Sequence, residues 1–398
     1  MNKVFQWIDD RLPVSNFVKN HLSNYQAPKN FNFWYYFGSL AILVFASQII
    51  SGIFLLMHYV PSEEAAFDSV EFIMRNVSFG WFLRYLHAVG ASMFFVVIYL
   101  HMYRAFMYGS YKKPRELLYL LGAFLFLLLM AEAYTGYVLP WGQMSFNATK
   151  VILSILEKIP FIGDAVMTLV KGSPEVSGAT LQRFFSFHVV VMPLMLIGFV
   201  YLHLAALHTV GSNNPDGIDV EKDPKKQGKN KQTVPFHPYY TVKDIFGAAV
   251  FLFVFLAIVM YAPTFFNYFI EKENFMPADP LIPVMHVKPV WYLSPFYSIV
   301  KATGDWGWLA MFSSVGLLFF MPWLDRAKVR SMRYRGWLSR IWLGLFILAF
   351  LCLMVLGVIT TEYPILLKVC TAFYFIFFLG LPFISKYDYV KPLPKQLT

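Results

Sequence analysis

The chain has few charged residues and almost no cysteine. Both features exclude several classes of protein. Only 14% of its 398 residues are charged, against about 25% in an average soluble domain. Its two cysteines, Cys352 and Cys370, both lie inside apolar stretches. They exclude a disulfide framework, a CxxC metal site and a CxxCH site for covalent haem. Because 58% of the residues are hydrophobic, a soluble enzyme and a disordered chain are excluded as well.

What the chain does have is long apolar runs. A bilayer core needs about 20 apolar residues per helix. Eight stretches meet that length: 34–57, 82–103, 117–138, 184–207, 245–266, 305–323, 341–360 and 365–385. The predicted fold class is therefore an all-α integral membrane protein with eight transmembrane helices.

The net charge of +10 is explained by loops rich in Lys and Arg, and we expect no nucleic-acid partner. With the amino terminus inside, the inside segments hold 23 of the 33 Lys and Arg residues. This bias predicts that both termini are cytoplasmic. The polar, Lys-rich stretch 212–235 is typical of a flexible connector, and it predicts three parts: 1–210, 211–243 and 244–398.

Four of the nine histidines lie inside two of the apolar stretches, where ionisable residues are costly and usually functional. His87 and His101 are 14 residues apart, about 21 Å along a helix, and about 40° from facing the same way. His188 and His203 are 15 apart, about 22 Å, and about 60° off. Each pair thus places one imidazole near each membrane surface. Two facing imidazoles per level suit a six-coordinate haem iron that carries electrons.

Glycines and arginines repeat that spacing. Gly38 and Gly52 are 14 residues apart, as are Gly122 and Gly136. A glycine in a helix would let a flat macrocycle approach the backbone, although close packing between helices is the alternative explanation. Two arginines each lie one turn towards water from a histidine, Arg84 before His87 and Arg104 after His101. They could pair with haem propionates or extend to the membrane interface.

Five runs of residues closely resemble cytochrome b of the quinol–cytochrome c oxidoreductases. They are 81–92 (WFLRYLHAVGAS), 136–146 (GYVLPWGQMSF), 183–188 (RFFSFH), 208–215 (HTVGSNNP) and 235–244 (PFHPYYTVKD). The resemblance covers nearly the whole chain and is closest to the single-chain form with eight helices.

The resemblance implies two non-covalent haem b groups inside a bundle of the first four helices. His87 and His188 would bind the haem near the outside, and His101 and His203 the haem near the inside. Quinol would be oxidised at an outer site that includes Tyr137, Pro289, Trp291 and Tyr292. Electrons would cross the two haems, with protons released outside and taken up inside.

Quinone would be reduced at an inner site that includes Ser39, His208, Lys243 and Asp244. A histidine and a carboxylate beside the two carbonyls of a quinone could supply its two protons. Without the resemblance, Asp244 would be explained as a helix cap and His208 as an interfacial histidine.

The resemblance also implies partners and a location. The chain has no cysteine-rich motif for an iron–sulfur cluster and no CxxCH motif. A Rieske iron–sulfur protein and a c-type cytochrome are the expected partners, with a ubiquinone-like quinone, membrane lipid and a second copy of the complex. A bacterial inner membrane is favoured over a mitochondrial one.

The chain departs from the family pattern at three places. The usual Pro-Glu-Trp-Tyr motif has Val290 in place of the glutamate that accepts a quinol proton. We expect another carboxylate, Glu273 or Asp279, or a water chain past Tyr137, to replace it. The 15-residue His188–His203 spacing predicts a local bulge near Pro193. Ala148 replaces a glycine that gives methoxyacrylate inhibitors room.

Two other classes remain as alternatives. A di-haem anchor of another quinone-linked dehydrogenase would usually have four or five spans and no 289–292 segment. A transporter could use the intramembrane His, Asp and Arg side chains as a proton relay. It would bind no haem and would show helices broken in symmetric halves.

Overall fold

The chain is described here from a computed structural model, which covers residues 3–18, 24–221, 226, 231–284, 286–359 and 363–398. Its α-helices are α1 (Lys3–Asp9), α2 (Val14–Val18), α3 (Tyr36–Leu56), α4 (Ala66–Asn76), α5 (Gly80–Tyr108), α6 (Glu116–Val138), α7 (Gln143–Glu157), α8 (Gly163–Lys171), α9 (Gly178–Ser186), α10 (Met192–Val210), α11 (Thr241–Tyr261), α12 (Ser294–Thr303), α13 (Gly307–Phe319), α14 (Met321–Leu324), α15 (Trp337–Val358) and α16 (Pro364–Tyr387). Short 3₁₀ segments lie at Phe33–Tyr35, Lys272–Phe275, Gly304–Trp306 and Met332–Tyr334, and π turns at Phe187–Val191 and Phe236–Tyr240. The strands are β1 (Gln26–Pro28) and β2 (Thr233–Pro235).

The helical membrane fold is confirmed, but the count of eight spans is not. Within the described ranges, seven helices are long and apolar enough to cross a bilayer. The stretch predicted at 305–323 is instead two pieces, α13 and α14, which meet at Phe320. Pro322 lies in the first turn of α14. Because proline has no N–H group and its ring clashes with the preceding turn, the helix is interrupted there.

A π turn lies in the helix that contains His188 and His203. Helix α9 continues through the π turn Phe187–Val191 into α10, which begins one residue before Pro193. One π turn takes up an extra residue compared with an α turn. The bulge predicted near Pro193 is therefore confirmed, and it offsets the additional residue in the 15-residue spacing between the two histidines.

The first four long helices are α3, α5, α6 and the composite α9–α10. Helix α3 packs on α5, and α6 packs on α10. The carboxy-terminal helices α12, α15 and α16 pack together, and one apolar core joins them to α3, α5 and α6. In that core, the ring of Phe95 in α5 stacks on Tyr292 with 4.0 Å between ring centres. The segment just before α12 is thus held against the four-helix bundle.

The predicted connector is attached to the folded chain at both of its ends. Residues 222–225 and 227–230, which carry most of its lysines, lie outside the described residues. Its first part is anchored, because the buried carboxylate of Asp216 accepts hydrogen bonds from Arg333, Tyr334 and Thr398. Its last part is β2, which pairs antiparallel with β1. Both ends of the connector are therefore fixed to the folded chain.

The long loop after α11 is attached to the start of the surface helix α7. The backbone N–H of Gln143 donates to the carbonyl of Met276 (3.0 Å), and the N–H of Ala278 donates to the carbonyl of Trp141 (2.9 Å). The side-chain oxygen of Asn274 accepts from the N–H of Ser145 (2.8 Å). These bonds place residues 271–279 beside the end of α6.

Candidate functional site

One pair of predicted histidines meets face to edge. The ring centres of His87 in α5 and His188 in the π turn are 6.0 Å apart, and the rings are nearly perpendicular. Two metal–imidazole bonds of about 2.0–2.1 Å each, together with the distance from ring nitrogen to ring centre, require roughly this separation. The geometry therefore suits one metal held between the two rings.

The Nδ1 atom of each of these two rings forms a hydrogen bond with the protein. Nδ1 of His87 pairs with the hydroxyl of Ser51 (3.0 Å), and Nδ1 of His188 donates to the backbone carbonyl of Glu132 (3.0 Å). A hydrogen bond at Nδ1 orients the ring and leaves Nε2 as the ligand. Nε2 of each ring is thus the nitrogen left to bind a metal.

The second pair lines a large cavity. His101 and His203 border a space of about 580 Å³ together with Gly38, Gly122 and Arg104. Among the described residues, Nδ1 of both histidines and Nε of Arg104 are buried without a hydrogen-bond partner. Buried polar atoms are normally paired, so a polar group bound in this space would supply partners for them. A cavity of this size is within the range of cofactor sites.

Each of the four glycines lies against one of the four histidines. A Cβ on Gly52 would come within 3.3 Å of His87, and one on Gly136 within 2.3 Å of His188. A Cβ on Gly38 would come within 3.5 Å of His101, and one on Gly122 within 3.1 Å of His203. The spacing noted in the sequence therefore corresponds to a contact, and side chains at these positions would occupy the space beside the rings. The residues present fit two flat, bis-histidine-ligated haems.

The two arginines occupy the positions expected from the sequence. Both lie in α5, each one turn from its histidine. The guanidinium of Arg104 lies over the ring of Tyr35 at 4.8 Å and donates to the hydroxyl of Ser110 (3.3 Å). Arg84 is partly buried. Arg104 thus carries a buried positive charge at the edge of the cavity, where an anionic group could neutralise it.

The residues predicted for the outer site come together. Tyr137, at the end of α6, packs against the core that contains Val290 and Tyr292. The indole N–H of Trp291 donates to the hydroxyl of Ser92 (3.0 Å), and Tyr99 donates to the carbonyl of Tyr292 (2.5 Å). Together with the buried Pro289, these contacts hold segment 289–292 beside Tyr137.

A carboxylate that the sequence analysis missed lies at the same place. Glu271 is 2% exposed, and its Oε2 accepts from the hydroxyl of Tyr137 (3.2 Å) and from the amide of Asn274 (2.9 Å). Of the two carboxylates named from the sequence, Asp279 accepts from the N–H of Leu281, and Glu273 is partly buried. The sequence signal was the spacing Glu-x-Glu, which does not reveal which of the two carboxylates contacts Tyr137.

The residues predicted for the inner site also share one location. Ser39, His208, Lys243 and Asp244 all line the cavity that contains His101 and His203. The ring of His208 contacts Tyr25 edge to face, with ring centres 4.9 Å apart, and Nζ of Lys243 donates to the hydroxyl of Tyr239 (3.0 Å). A carboxylate, an imidazole and an ammonium group thus face one space beside the inner histidine pair.

The chain is similar to known proteins over nearly its whole length. Residues 22–211 match the family model described as Cytochrome b/b6/petB, and residues 277–377 match Cytochrome b(C-terminal)/b6/petD. The chain is 46% identical to cytochrome b of Allochromatium vinosum, over 98% of this chain and 97% of the relative. It is 48% identical to cytochrome b of Rickettsia bellii, over 100% and 97%.

A solved structure titled Hyperthermophilic respiratory Complex III has a chain with a TM-score of 0.89 and 35% identity. The match covers 96% of this chain and 99% of that one. The long apolar helices, the paired histidines and these matches lead to one conclusion. This chain belongs to the cytochrome b family, the membrane subunit of bc-type electron-transport complexes, whose members bind haem b.

Proposed function

We propose that this chain is the cytochrome b subunit of a respiratory quinol–cytochrome c oxidoreductase that couples quinol oxidation to proton translocation. The observation that carries the proposal is the placement of two histidine pairs, each facing two glycines, with a candidate quinone site beside each pair. Iron held by two histidines has no open position, so haem bound here supplies one-electron transfer.

The four histidines would hold the two haems. His87 and His188 are assigned to the outer one, and their Nδ1 bonds to Ser51 and to the Glu132 carbonyl keep both rings oriented. His101 and His203 are assigned to the inner one. Arg84 and Arg104 would pair with propionate carboxylates, because each is a partly desolvated guanidinium one turn from a ligand.

At the outer site, Tyr137, Pro289, Trp291 and Tyr292 would bind quinol. Their role is to shape an apolar space and to orient the ring, and the bond from Trp291 to Ser92 keeps the segment in place. At the inner site, Lys243 and Ser39 would position a quinone carbonyl. His208 and Asp244 would deliver the protons that its reduction consumes.

The proposal includes partners outside this chain. Two cysteines inside apolar stretches cannot provide an iron–sulfur cluster, so we assign that role to a Rieske protein and the next electron step to a c-type cytochrome. We further propose a homodimeric complex in a bacterial inner membrane, with both termini cytoplasmic and with α13 and α14 together crossing the bilayer as an eighth span. Residues 1–210 would form the haem bundle, 211–243 the cytoplasmic connector and 244–398 the part that completes the outer site.

A redox titration of the optical spectrum tests the proposal. The purified complex should show b-type α-bands that titrate in two steps, and His203→Leu should remove one step while His188→Leu removes the other. Quinol-dependent reduction of a c-type cytochrome should accompany them. Two haems without that turnover would favour the di-haem anchor of another dehydrogenase, and a spectrum without haem bands would favour a transporter.

A further inference from the structure

At the outer site, position 290 has an apolar side chain where a proton acceptor for quinol would be expected. Val290 is 4% exposed and packs in the apolar core with Tyr292, and it cannot accept a proton. Quinol gives up two protons when it is oxidised, and a base near the reacting hydroxyl speeds that transfer. The question is which other side chain of this site could act as the base.

Glu271 is a base held in place by two donors. Its Oε2 accepts from Tyr137 (3.2 Å) and Asn274 (2.9 Å), and the amide of Asn274 also donates to the Tyr137 hydroxyl (3.2 Å). Asn274 is itself fixed by the N–H of Ser145 at the start of α7. Three elements, α6, α7 and the 271–279 loop, therefore determine the position of one carboxylate.

The surroundings of Glu271 bring the pKa of its carboxyl group close to neutral pH. Burial raises the pKa of this carboxyl to about 7, although nearby Lys288 and the hydrogen bonds from Tyr137 and Asn274 act in the opposite direction. The titratable or charged groups around it are Tyr137 on α6, Lys288 and Tyr292 on the segment before α12, and Lys272 and Glu273 on its own loop. A catalytic base is most effective when its pKa lies near the operating pH.

We propose that the Glu271 carboxylate accepts one of the two quinol protons at the outer site, in place of the side chain missing at Val290. This inference rests on the proposed function. Quinol loses two electrons and two protons to become quinone. One electron and one proton go to a one-electron oxidant of the iron–sulfur class, the second electron goes to the outer haem, and the second proton converts Glu271 to its carboxylic acid.

The proton can then leave the protein without crossing the membrane. Lys272 and Phe275, in the same 3₁₀ segment, are exposed, so the loop that holds Glu271 borders the surface. The carboxylic acid releases its proton there and returns to the charged form. Glu271 thus acts as a relay between the buried site and water.

The test compares Glu271→Gln, Glu271→Asp and Glu273→Gln in the intact complex, with Glu175→Gln on an exposed outer loop as the control. We measure quinol-dependent cytochrome c reduction per outer haem, so that loss of assembly does not count as loss of rate. Glu271→Gln keeps the acceptors for Tyr137 and Asn274 but cannot take a proton, and its rate should fall about 100-fold. Glu271→Asp should keep more activity and shift the pH profile, while Glu175→Gln should match the parent.

A second readout is independent of turnover. The infrared difference spectrum recorded on quinol oxidation should contain a carboxylic acid band that is absent in Glu271→Gln. A parental rate in Glu271→Gln, or a large loss in Glu273→Gln alone, would overturn this inference and leave the proposed function standing. A haem-loaded parent complex that oxidises no quinol would overturn both.

Discussion

Gly136 and His188 approach so closely that a Cβ on the glycine would lie 2.3 Å from Cε1 of the ring. No real Cβ tolerates such a contact, so either α6 or the ring would have to move. The corresponding distance for Gly38 and His101 is 3.5 Å, an ordinary van der Waals contact. Of the four glycine–histidine contacts, the one between Gly136 and His188 is therefore the tightest.

Gly136→Ala should remove most of the outer haem while leaving the inner haem in place. The added methyl group displaces His188, whereas an alanine in a helix is otherwise more favourable than glycine by about 1 kcal/mol. The haem-to-protein ratio and the two-step redox titration measure the effect. Gly198→Ala in α10 is the matched control, because a Cβ there meets no atom within 4 Å. Full haem content in Gly136→Ala would contradict the assignment of His188.

Asp244→Asn should slow quinone chemistry at the inner site by about 100-fold, because the amide cannot deliver a proton. The carboxylate lines the inner cavity at the start of α11, so haem binding should be unchanged. The rate at which quinol reduces the inner haem, with the outer site blocked, reports on this step. Asp68→Asn, at an exposed position in α4, should leave that rate at the parental value. An unchanged rate in Asp244→Asn would remove the residue from the inner site.

Ala148→Gly should increase sensitivity to methoxyacrylate inhibitors about tenfold or more, since one methyl group in an apolar pocket is worth roughly 10–200-fold. Ala148 is 2% exposed in α7, beside the loop that carries Glu271. The inhibitor concentration for half-maximal turnover measures the change, and Ala179→Gly in α9 serves as control. Tight inhibition of the unmodified complex would show that Ala148 does not occupy the position assigned to it.

Asp325→Asn should lower the free energy of unfolding by about 3–5 kcal/mol, because it leaves buried charges without a partner. Asp325 pairs with Arg335 (2.6 Å) and Lys112 (3.1 Å), and both its own side chain and that of Arg335 are buried. Denaturant unfolding in detergent measures the loss. Asp305→Asn disrupts an exposed pair with Lys158 and should cost less than about 1 kcal/mol.

The same ion pair predicts how stability depends on pH. Burial by itself would raise the pKa of Asp325, but Arg335, Lys112 and the hydroxyl of Tyr111 hold it below the usual value. A lowered pKa in the folded state means that the charged form stabilises the fold above the ordinary aspartate pKa. This stabilisation should disappear as the pH falls through the lowered value. Asp325→Asn should therefore reduce the slope of unfolding free energy against pH in the acidic range.

Much of the site could be predicted from spacing alone. A helix turns by a fixed angle per residue, so histidines 14 residues apart must point in similar directions wherever the helix lies. That argument placed His87 and His101 on one side of α5, and it noted that the glycines repeat the histidine spacing. It also suggested that the 15-residue spacing needs a bulge, which the π turn before Pro193 provides.

The sequence by itself determined the class and the main helices of this protein and the relative placement of its paired histidines, because these depend on composition and on the local geometry of single helices. Only the tertiary structure decided which carboxylate contacts Tyr137, since Glu271 and Glu273 lie two residues apart in a loop without a regular repeat. Their directions depend on contacts with α6 and α7, more than 120 residues earlier in the chain. The broken sixth stretch has a local origin instead, because hydropathy measures the length of an apolar run and does not register that Pro322 interrupts its helix.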